Sequence, residues 1–372
     1  MARTCCPNYT IRLDATSFRP GKKHRQVVNR FNRFLATGQK RGEGSAEVAK
    51  PTAKGEEGGF LRNMKKIAGR DGKHRFTTEL VPAESTYESF ELYRKYQVAV
   101  HGDKDNEVTL PGFQRFLCDS NLMLEPIRYS ALAEDNEDLP QAYGSYHLLY
   151  KVDSELIALS VMDILPNCVS SVYFIWHPDW AWASLGKLSA LHEMALVEDM
   201  RDAGAPNMAW LYMGYWIANC QKMKYKSEYE PSYLLDPGTN QFHLLTPHLE
   251  RFLVDNPRGY HPFANIEQNK APSTIIEHSP AKSATWPVPT PPGFADPSAT
   301  PLKEINDLVV LTRGANGKKG SRLARVEDLD FNSKKTALKS IRELVAAVGK
   351  EFVVGFDDLD QGLGGKGILY FG

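Results

Sequence analysis

Several features are scarce in this 372-residue chain, and each scarcity excludes a class of protein. The formal net charge is zero, with 45 basic and 45 acidic residues, so any contact with nucleic acid depends on local basic patches rather than on an overall field. No run of 18 apolar residues occurs, so no membrane partner is expected. Only five cysteines are present, an odd number, which disfavours a disulfide-stabilised secreted scaffold.

Motifs for several common chemistries are also missing. No segment has the pattern of a Ser-His-Asp or Cys-His nucleophile, and the glycine-rich segment DQGLGGKGILYFG fits neither phosphate-binding signature. The first residues contain no apolar signal-peptide core, so we expect a cytoplasmic protein, with a nuclear location as a further option.

Positive charge is concentrated in two segments near the beginning of the chain. Residues 21–35, GKKHRQVVNRFNRFL, predict an amphipathic helix with basic residues around an apolar side. Residues 37–60 carry almost no large apolar side chain, which is typical of a flexible linker. A second basic segment, RNMKKIAGRDGKHR, occupies residues 62–75.

Three apolar runs in the middle of the chain predict strands. They are GSYHLLYKV (144–152), ELIALSVMDIL (155–165) and CVSSVYFIW (168–176), and they are rich in β-branched and aromatic residues. Only two residues separate each run from the next, so we expect antiparallel neighbours.

Helices are predicted on both sides of these strands in the sequence. A helix over 86–101 and a short one near Thr109 precede them, and a loop, a helix over 187–203 that ends at Gly204, and a strand at 208–216 follow. This order resembles the core of the acyltransferase fold shared by N-acetyltransferases and aminoacyl-tRNA transferases. We therefore expect an α+β fold with a GNAT-like core, in which helices flank a mixed, mostly antiparallel sheet.

Longer motifs resemble one protein family. YFIWHPDWAWASLGKLSALHEMAL (173–196) and LYMGYWIANCQKMKYKSEYEPSYLL (211–235) are similar to the C-terminal domain of arginyl-tRNA–protein transferases. TCCPNYTIRLDATSFRPGKKHRQVVNRFNRFL (4–35) is similar to the second half of that family's N-terminal domain. The resemblance covers residues 4–36 and 85–236.

The resemblance implies an activity and a set of partners. The family moves arginine from arginyl-tRNA to the α-amino group of proteins that begin with Asp, Glu or oxidised Cys, which marks them for ubiquitin-dependent degradation. The implied partners are arginyl-tRNA, proteins or peptides with acidic N-terminal residues, and ubiquitin ligase machinery; no cofactor is expected. A non-catalytic tRNA- or degron-binding adaptor is the alternative. A CoA-dependent N-acetyltransferase is disfavoured because ASLGKLSA lacks a glycine-rich CoA loop.

The resemblance also divides the chain. Residues 1–36 are predicted to be part of an N-terminal arginyltransferase domain, and residues 37–75 a flexible basic linker. Residues 76–236 are predicted to form the aminoacyl-transferase core, and residues 237–372 a Pro- and Gly-rich extension with a terminal helix.

The sequence departs from the family at its thiols and at two histidines. The family has a Cys-x-x-Cys element upstream of the pair that corresponds to Cys5 and Cys6, and residues 1–4 do not contain it. Tetrahedral metal sites take four ligands, so we expect no bound metal and interpret Cys5 and Cys6 as free or oxidisable regulatory thiols. His177 and His192 replace residues that are usually Asp and Arg, so neither is assigned as a proton relay.

Aminoacyl transfer from an activated ester requires positioning, stabilisation of an oxyanion and transfer of one proton. Ser184, Gly186 and Lys187 are the catalytic candidates, because they lie where the loop enters the predicted helix and helix N-terminal N–H groups bind anions. Ser184 suits the N-cap position, and Gly186 permits close approach of a substrate. An ordinary capped helix is the alternative interpretation.

Charged residues supply the substrate-binding candidates. A guanidinium pairs best with a planar carboxylate, so Asp179 is the first candidate for binding the arginine moiety and Asp163 the second. An acidic N-terminal residue needs a cation, and Arg12, beside Tyr9 in YTIRL, is the first candidate. A turn cap for Asp179 and a surface position for Arg12 are the alternatives. The further candidates are Lys222, Lys224 and Lys226.

Basic and aromatic residues supply the candidates for tRNA contact. Cations neutralise phosphates, and rings stack on the unpaired 3′ end. A solvated charged face, a nuclear-targeting patch and core packing are the alternatives. The candidates are Lys22, Lys23, Arg25, Arg30, Arg33, Lys65, Lys66, Tyr215 and Tyr225.

Overall fold

The predicted apolar runs belong to one large sheet in the computed structural model of this protein. The structure describes residues 7–40, 59–67, 72–122, 124–130, 139–205, 207–236, 239–257, 261–267, 296–297, 299–313, 321–329, 338, 340–346, 349, 353 and 369–371. The strands are β1 (Tyr9–Asp14), β2 (Phe76–Pro82), β3 (Glu125–Pro126), β4 (Ala142–Val152), β5 (Glu155–Leu165), β6 (Cys168–Trp176), β7 (Trp210–Trp216), β8 (Ser232–Asp236), β9 (Gln241–Leu244), β10 (Val309–Arg313), β11 (Ser321–Arg325) and β12 (Leu369–Phe371).

The described helices include the three predicted between residues 21 and 113 and the long one that follows the central strands. The helices are α1 (Lys22–Thr37), α2 (Phe60–Ile67), α3 (Tyr87–Tyr96), α4 (Leu110–Phe113), α5 (Leu185–Asp202), α6 (Gln221–Lys224), α7 (Pro247–Asp255), α8 (Phe263–Glu267) and α9 (Leu302–Asn306). A π-helical turn, Gln97–His101, extends α3 to the predicted end. Thr86 and Thr109 cap α3 and α4 with their side chains, which is a strong helix-start signal.

The main sheet has the strand order β2-β4-β5-β6-β7-β1-β8-β9, and β3 pairs with β4. β4, β5 and β6 form the predicted antiparallel meander. Asp153 and Ser154 at its first turn have φ of 51° and 72°, conformations that fit a two-residue turn to the twist of its strands. Residues 156–162 of β5 are all buried, so this strand forms the centre of the core.

Two hydrophobic cores lie on opposite faces of the sheet. Neighbouring residues of β5 point to different faces, and Ala158 belongs to the core shared with α1, α2 and α5, whereas Leu159 belongs to the core shared with α3 and α4. The mixed architecture, with helices on both faces of a mostly antiparallel sheet, confirms the α+β class.

The N-terminal strand lies in the middle of the sheet. β1 is antiparallel to both of its neighbours, β7 and β8, and Ile11 and Leu13 are fully buried. Tyr9, Ile11 and Leu13 of this strand are therefore part of the first core.

Residues beyond β8 contribute to two regions. β9 pairs antiparallel with β8 across the predicted domain boundary at residue 236, and α7 and α8 pack on the first core. β10 forms a small sheet with β11 and β12. The predicted terminal helix is described only at 338 and 340–346, and residues 41–58 and 68–71 of the predicted linker lie outside the described residues. Residues 60–67 of that linker instead form α2, whose Leu61 and Met64 are buried in the first core.

Candidate functional site

A large cleft opens where two parallel strands separate. β6 and β7 pair from Cys168 with Trp210 to Ser170 with Tyr212, although both strands continue for several more residues. A cleft of about 1350 Å³ is lined by residues 171–174 of β6, residues 213–215 of β7, the start of α5 and residues 221–228. The separated strands therefore form two of its walls.

The start of α5 places Ser184, Gly186 and Lys187 at this cleft. Ser184 occupies the N-cap position, but it has φ of 56° and its hydroxyl makes no capping hydrogen bond. The expectation of an ordinary serine cap is therefore wrong, because a left-handed backbone turns the side chain away from the first N–H groups. A Cβ on Gly186 would lie 3.6 Å from the Phe174 ring and 4.0 Å from the Tyr225 hydroxyl, so the glycine keeps a gap between these side chains open.

Lys187 is held by an acidic residue on the opposite wall of the cleft. Its Nζ lies 2.6 Å from Glu228 Oε2, and Lys23 Nζ of α1 lies 2.8 Å from Glu228 Oε1. Burial opposes ionisation of Glu228, but the hydrogen bonds from Lys187 and Lys23 lower its pKa. Glu228 is therefore an ionised bridge that connects α1 to the start of α5.

The three lysines predicted to bind substrate, Lys222, Lys224 and Lys226, differ in environment. Lys222 and Lys224 are exposed on the cleft wall, and among the described residues no carboxylate forms an ion pair with either. Lys226 is half-buried, and its Nζ donates to the Tyr215 carbonyl oxygen at 2.9 Å. Burial lowers the pKa of Lys226 to about 8, so a part of this amine is neutral at mildly alkaline pH and can accept a proton.

Substituting Lys226 with Met tests this assignment through the pH dependence of stability. The pKa of Lys226 falls from an ordinary 10.5 to about 8 in the folded protein, so the unfolded chain binds more protons between these values and the free energy of unfolding rises with pH. We expect the free energy of unfolding of the unmodified protein, relative to that of Lys226→Met, to rise by about 2 kcal/mol from about pH 7.5 to about pH 10. Urea unfolding at a series of pH values measures this difference.

Lys224→Met is the matched control, because the exposed amine of Lys224 lies two residues away. Its free energy of unfolding should run parallel to that of the unmodified protein over the same pH range. A Lys226→Met curve that also runs parallel would contradict the burial of a charged amine at this position.

The predicted tRNA-contact residues fall into two groups. Lys22, Lys23, Tyr215 and Tyr225 line the cleft. The others lie outside its lining: Arg25 is exposed on α1, Arg33 is half-buried, and Arg30 donates to the Ala183 carbonyl oxygen at 3.0 Å, which ties α1 to the turn before α5. Lys65 and Lys66 belong to α2, and their side chains, like Cys5 and Cys6, lie outside the described part of the chain.

Arg12 and Tyr9, the candidates for acceptor binding, do not line the cleft. The Arg12 guanidinium lies between the rings of Trp210 and Phe242, 3.7 and 3.8 Å from their centroids, and donates to the Tyr212 hydroxyl at 3.3 Å. Tyr9 is buried against Trp216 and Phe263, and burial raises the pKa of its hydroxyl.

Asp163 and Asp179, the candidates for arginine binding, also lie outside the cleft lining. Asp163 accepts a short hydrogen bond from the Ser145 hydroxyl at 2.5 Å. The side chain of Asp179 is 82% exposed, and its carboxylate lies 3.7 Å from His177 Nδ1. The roles predicted for these two residues stay predictions.

Two buried ionisable residues of the cleft lining, Glu193 and His24, are not among those that the sequence predicted. Glu193, in the third turn of α5, is 1% exposed and accepts a hydrogen bond from Ser160 Oγ at 2.7 Å. His24 is 2% exposed, accepts the Gly21 N–H at 3.0 Å through Nδ1, and stacks on Tyr229. Burial lowers the pKa of His24. A usable signal for Glu193 was its position in a nearly all-apolar stretch of helix, where a carboxylate needs a specific partner.

Membrane spans and metal clusters are both absent from the described part of the chain. Within those ranges no helix is both long and apolar enough to span a membrane. No group of three or more His, Cys, Asp or Glu residues in the same ranges is placed to hold a metal ion.

Comparisons with known proteins place this cleft in a defined domain. Residues 88–236 match the family described as "Arginine-tRNA-protein transferase, C terminus". The chain is 44% identical over 151 residues to arginyl-tRNA–protein transferase 1 of Arabidopsis thaliana, which covers 40% of this chain and 23% of that protein. It is 34% identical over 256 residues to arginyl-tRNA–protein transferase 2 of the same plant, covering 68% of this chain and 39% of that protein.

A bacterial relative carries a different name. The chain is 33% identical over 156 residues to an aspartate/glutamate leucyltransferase of Pseudomonas syringae, covering 42% of this chain and 54% of that protein. The chain thus spans less than half of the length of the two plant relatives and about half of the bacterial one. Residues 88–236, which hold most of the cleft, therefore belong to the family of arginine-tRNA-protein transferase C-terminal domains.

Proposed function

We propose that this chain transfers arginine from arginyl-tRNA to the α-amino group of proteins with an acidic or oxidised-cysteine N-terminal residue. The observation that carries the proposal is the cleft itself. It lies in the region that matches the transferase family, and it combines a helix N-terminus with lysines and exposed aromatic rings. These are the groups that bind an anionic, single-stranded aminoacyl-tRNA end.

The reaction needs little chemical assistance. The acceptor nitrogen attacks the ester carbonyl carbon, a C–N bond forms, and the C–O bond to the ribose breaks. One proton passes from the amine to the ribose oxygen. Because an α-amine has a pKa of about 7.7–8.0, a useful neutral fraction exists at neutral pH. The N–H groups of Leu185 and Gly186 at the start of α5 would stabilise the oxyanion, and Lys226 would receive or relay the proton.

The donor would enter along the lysine-rich wall. Lys22 and Lys23 of α1 and the lysines after Cys220 lie on the two sides of the cleft. Phosphate contacts of this kind set position rather than sequence preference. Tyr215, which is 51% exposed at the cleft, offers a stacking surface for an unpaired base.

The acceptor would be recognised by two lysines of this same wall. Lys222 and Lys224 are exposed at the cleft and can pair with an acidic N-terminal side chain. The name of the Pseudomonas relative, aspartate/glutamate leucyltransferase, fits acidic acceptors. Arg12 and Tyr9 remain predictions for this role.

The proposal includes the cellular consequence and the fold type. Arginylation in the cytoplasm would hand the modified protein to ubiquitin ligase machinery. The separation of two parallel strands, with a helix that starts at the opening, supports a GNAT-like core. An adaptor without turnover is the competing function, and the same experiment addresses it.

A transfer assay with the complete chain tests the proposal. Purified protein is incubated with tRNA charged with labelled arginine and with peptides that begin with Asp or Ala but are otherwise identical. Labelled arginine on the Asp peptide alone supports the proposal. Binding of tRNA without transfer would favour the adaptor, and equal labelling of both peptides would remove the acidic-acceptor part.

A further inference from the structure

A buried carboxyl group lies at the inner end of the cleft. Glu193 is 1% exposed and belongs to the cleft lining. Its carboxylate accepts a hydrogen bond from Ser160 Oγ of β5 at 2.7 Å, and Ser171 of β6 lines the same cleft. Ser171 directly follows Ser170, the last residue of β6 that pairs with β7. The carboxyl group thus marks the point at which the two strands separate.

The surroundings of Glu193 supply hydroxyls and rings. The Tyr150 hydroxyl lies 3.4 Å from Ser160 Oγ, the same hydroxyl that donates to Glu193. Tyr225 and Glu193 line the same cleft. Among the described residues, no lysine, arginine or histidine forms an ion pair with Glu193, whose hydrogen-bond donor is the Ser160 hydroxyl. Burial raises the pKa of Glu193.

The buried carboxylate of Glu193 has no cationic partner among the described residues. Buried carboxylates are normally paired with a cation, because an unpaired buried charge is costly. The other acidic residues of the cleft differ: Glu228 is paired with Lys187 and Lys23, Glu250 accepts from Ser227 near the surface, and Glu230 is exposed. Glu193 is thus the deeply buried acid of the cleft, and a cation from outside would complete its site.

The geometry points to Glu193 as the residue that binds the guanidinium of the arginine being transferred, an assignment that rests on the proposed function. A guanidinium is flat, is weakly hydrated and forms paired hydrogen bonds with a carboxylate. It also stacks favourably on aromatic rings, and Phe174 and Tyr225 line the same cleft. An apolar side chain such as leucine would leave the carboxyl group without a partner, so this residue also selects against it.

Two donors that differ only in charge test this assignment. tRNA is charged chemically with arginine or with citrulline, the neutral analogue in which an oxygen replaces one guanidinium nitrogen. The unmodified chain should use the arginyl donor with a kcat/KM about a hundredfold higher, because a buried charge pair is lost with citrulline. In Glu193→Gln, which keeps an oxygen to accept from Ser160, the arginyl value should fall about a hundredfold and the preference should disappear.

Controls separate this role from a structural one. Glu155→Gln changes an exposed glutamate on β5, outside the cleft lining, and should keep the preference. A merely structural Glu193 would lower the use of both donors equally in the Gln variant, and this result would overturn the assignment. Equal use of the two donors by the unmodified chain would overturn it without any variant. No arginine transfer by the unmodified chain would instead reject the proposed function.

Discussion

Gly204→Ala should lower the free energy of unfolding by about 3 kcal/mol or more, which corresponds to roughly 5–10 °C in melting temperature. Gly204 ends α5 with φ of 108°, a backbone conformation that side chains strongly disfavour. A Cβ there would lie 2.4 Å from the Ser130 nitrogen and 2.6 Å from the Ser130 Cβ. Ser130 cannot easily move away, because its N–H donates to the Ala203 carbonyl oxygen at 2.9 Å.

The loss at Gly204 has two causes, the positive φ and the contact with Ser130, and Gly102→Ala separates them. Gly102 also has positive φ, 76°, but no atom lies within 4 Å of its Cβ position. The free energy of unfolding of Gly102→Ala should therefore fall only by the cost of the positive φ, about 1 kcal/mol. Thermal and urea unfolding of both variants, followed by circular dichroism, provide the comparison. Equal losses in the two variants would mean that the contact with Ser130 does not constrain the end of α5.

The elements that could be predicted from the sequence are those set by local patterns. The runs that became β4, β5 and β6 are long and apolar and are separated by two-residue turns, so pairing with the next run was the simplest outcome. Thr86 and Thr109 carry side-chain caps, and these depend only on residues within one turn. Gly204 at the end of α5 is a signal of the same kind.

The parts that could not be predicted depend on contacts between distant segments. Nothing in YTIRLD indicates that β1 inserts between β7 and β8, some 200 residues later in the chain. Arg12 looked like a free cation for the same reason, because its stacking partners Trp210 and Phe242 are equally remote. Local sequence does not encode such pairings, and only the assembled sheet shows them.

The candidate site shows the same division. The motif ASLGK identified the start of α5, but the cleft exists because β6 and β7 stop pairing after Ser170 and Tyr212. The end of strand pairing has no sequence signature of its own. The burial of Glu193 was not predicted because α5 is buried on nearly all sides from residue 188 to 197, so no amphipathic pattern assigned its positions to a buried or an exposed face.

Substitutions of two neighbours on β7, Trp216 and Tyr215, should affect stability and tRNA binding separately. Trp216 is fully buried beside Tyr9, whereas Tyr215 is 51% exposed and lines the cleft. Trp216→Ala should lower the free energy of unfolding by about 3–5 kcal/mol, because it leaves a large cavity in the core. Trp216→Phe, which fills most of that volume, should lose clearly less. Urea unfolding of both variants measures the difference.

Tyr215→Ala should keep its stability within about 0.5 kcal/mol, because the contact that Tyr215 provides to Lys226 comes from its backbone carbonyl. Its affinity for arginyl-tRNA should fall about ten- to a hundredfold, the value of one base stacked on an aromatic ring. Tyr87→Ala, which removes an 82% exposed ring outside the cleft lining, should bind like the unmodified chain. Fluorescence titration with labelled tRNA measures all three proteins. Unchanged binding by Tyr215→Ala would remove this ring from the donor path and leave the lysines as the tRNA contacts of the cleft.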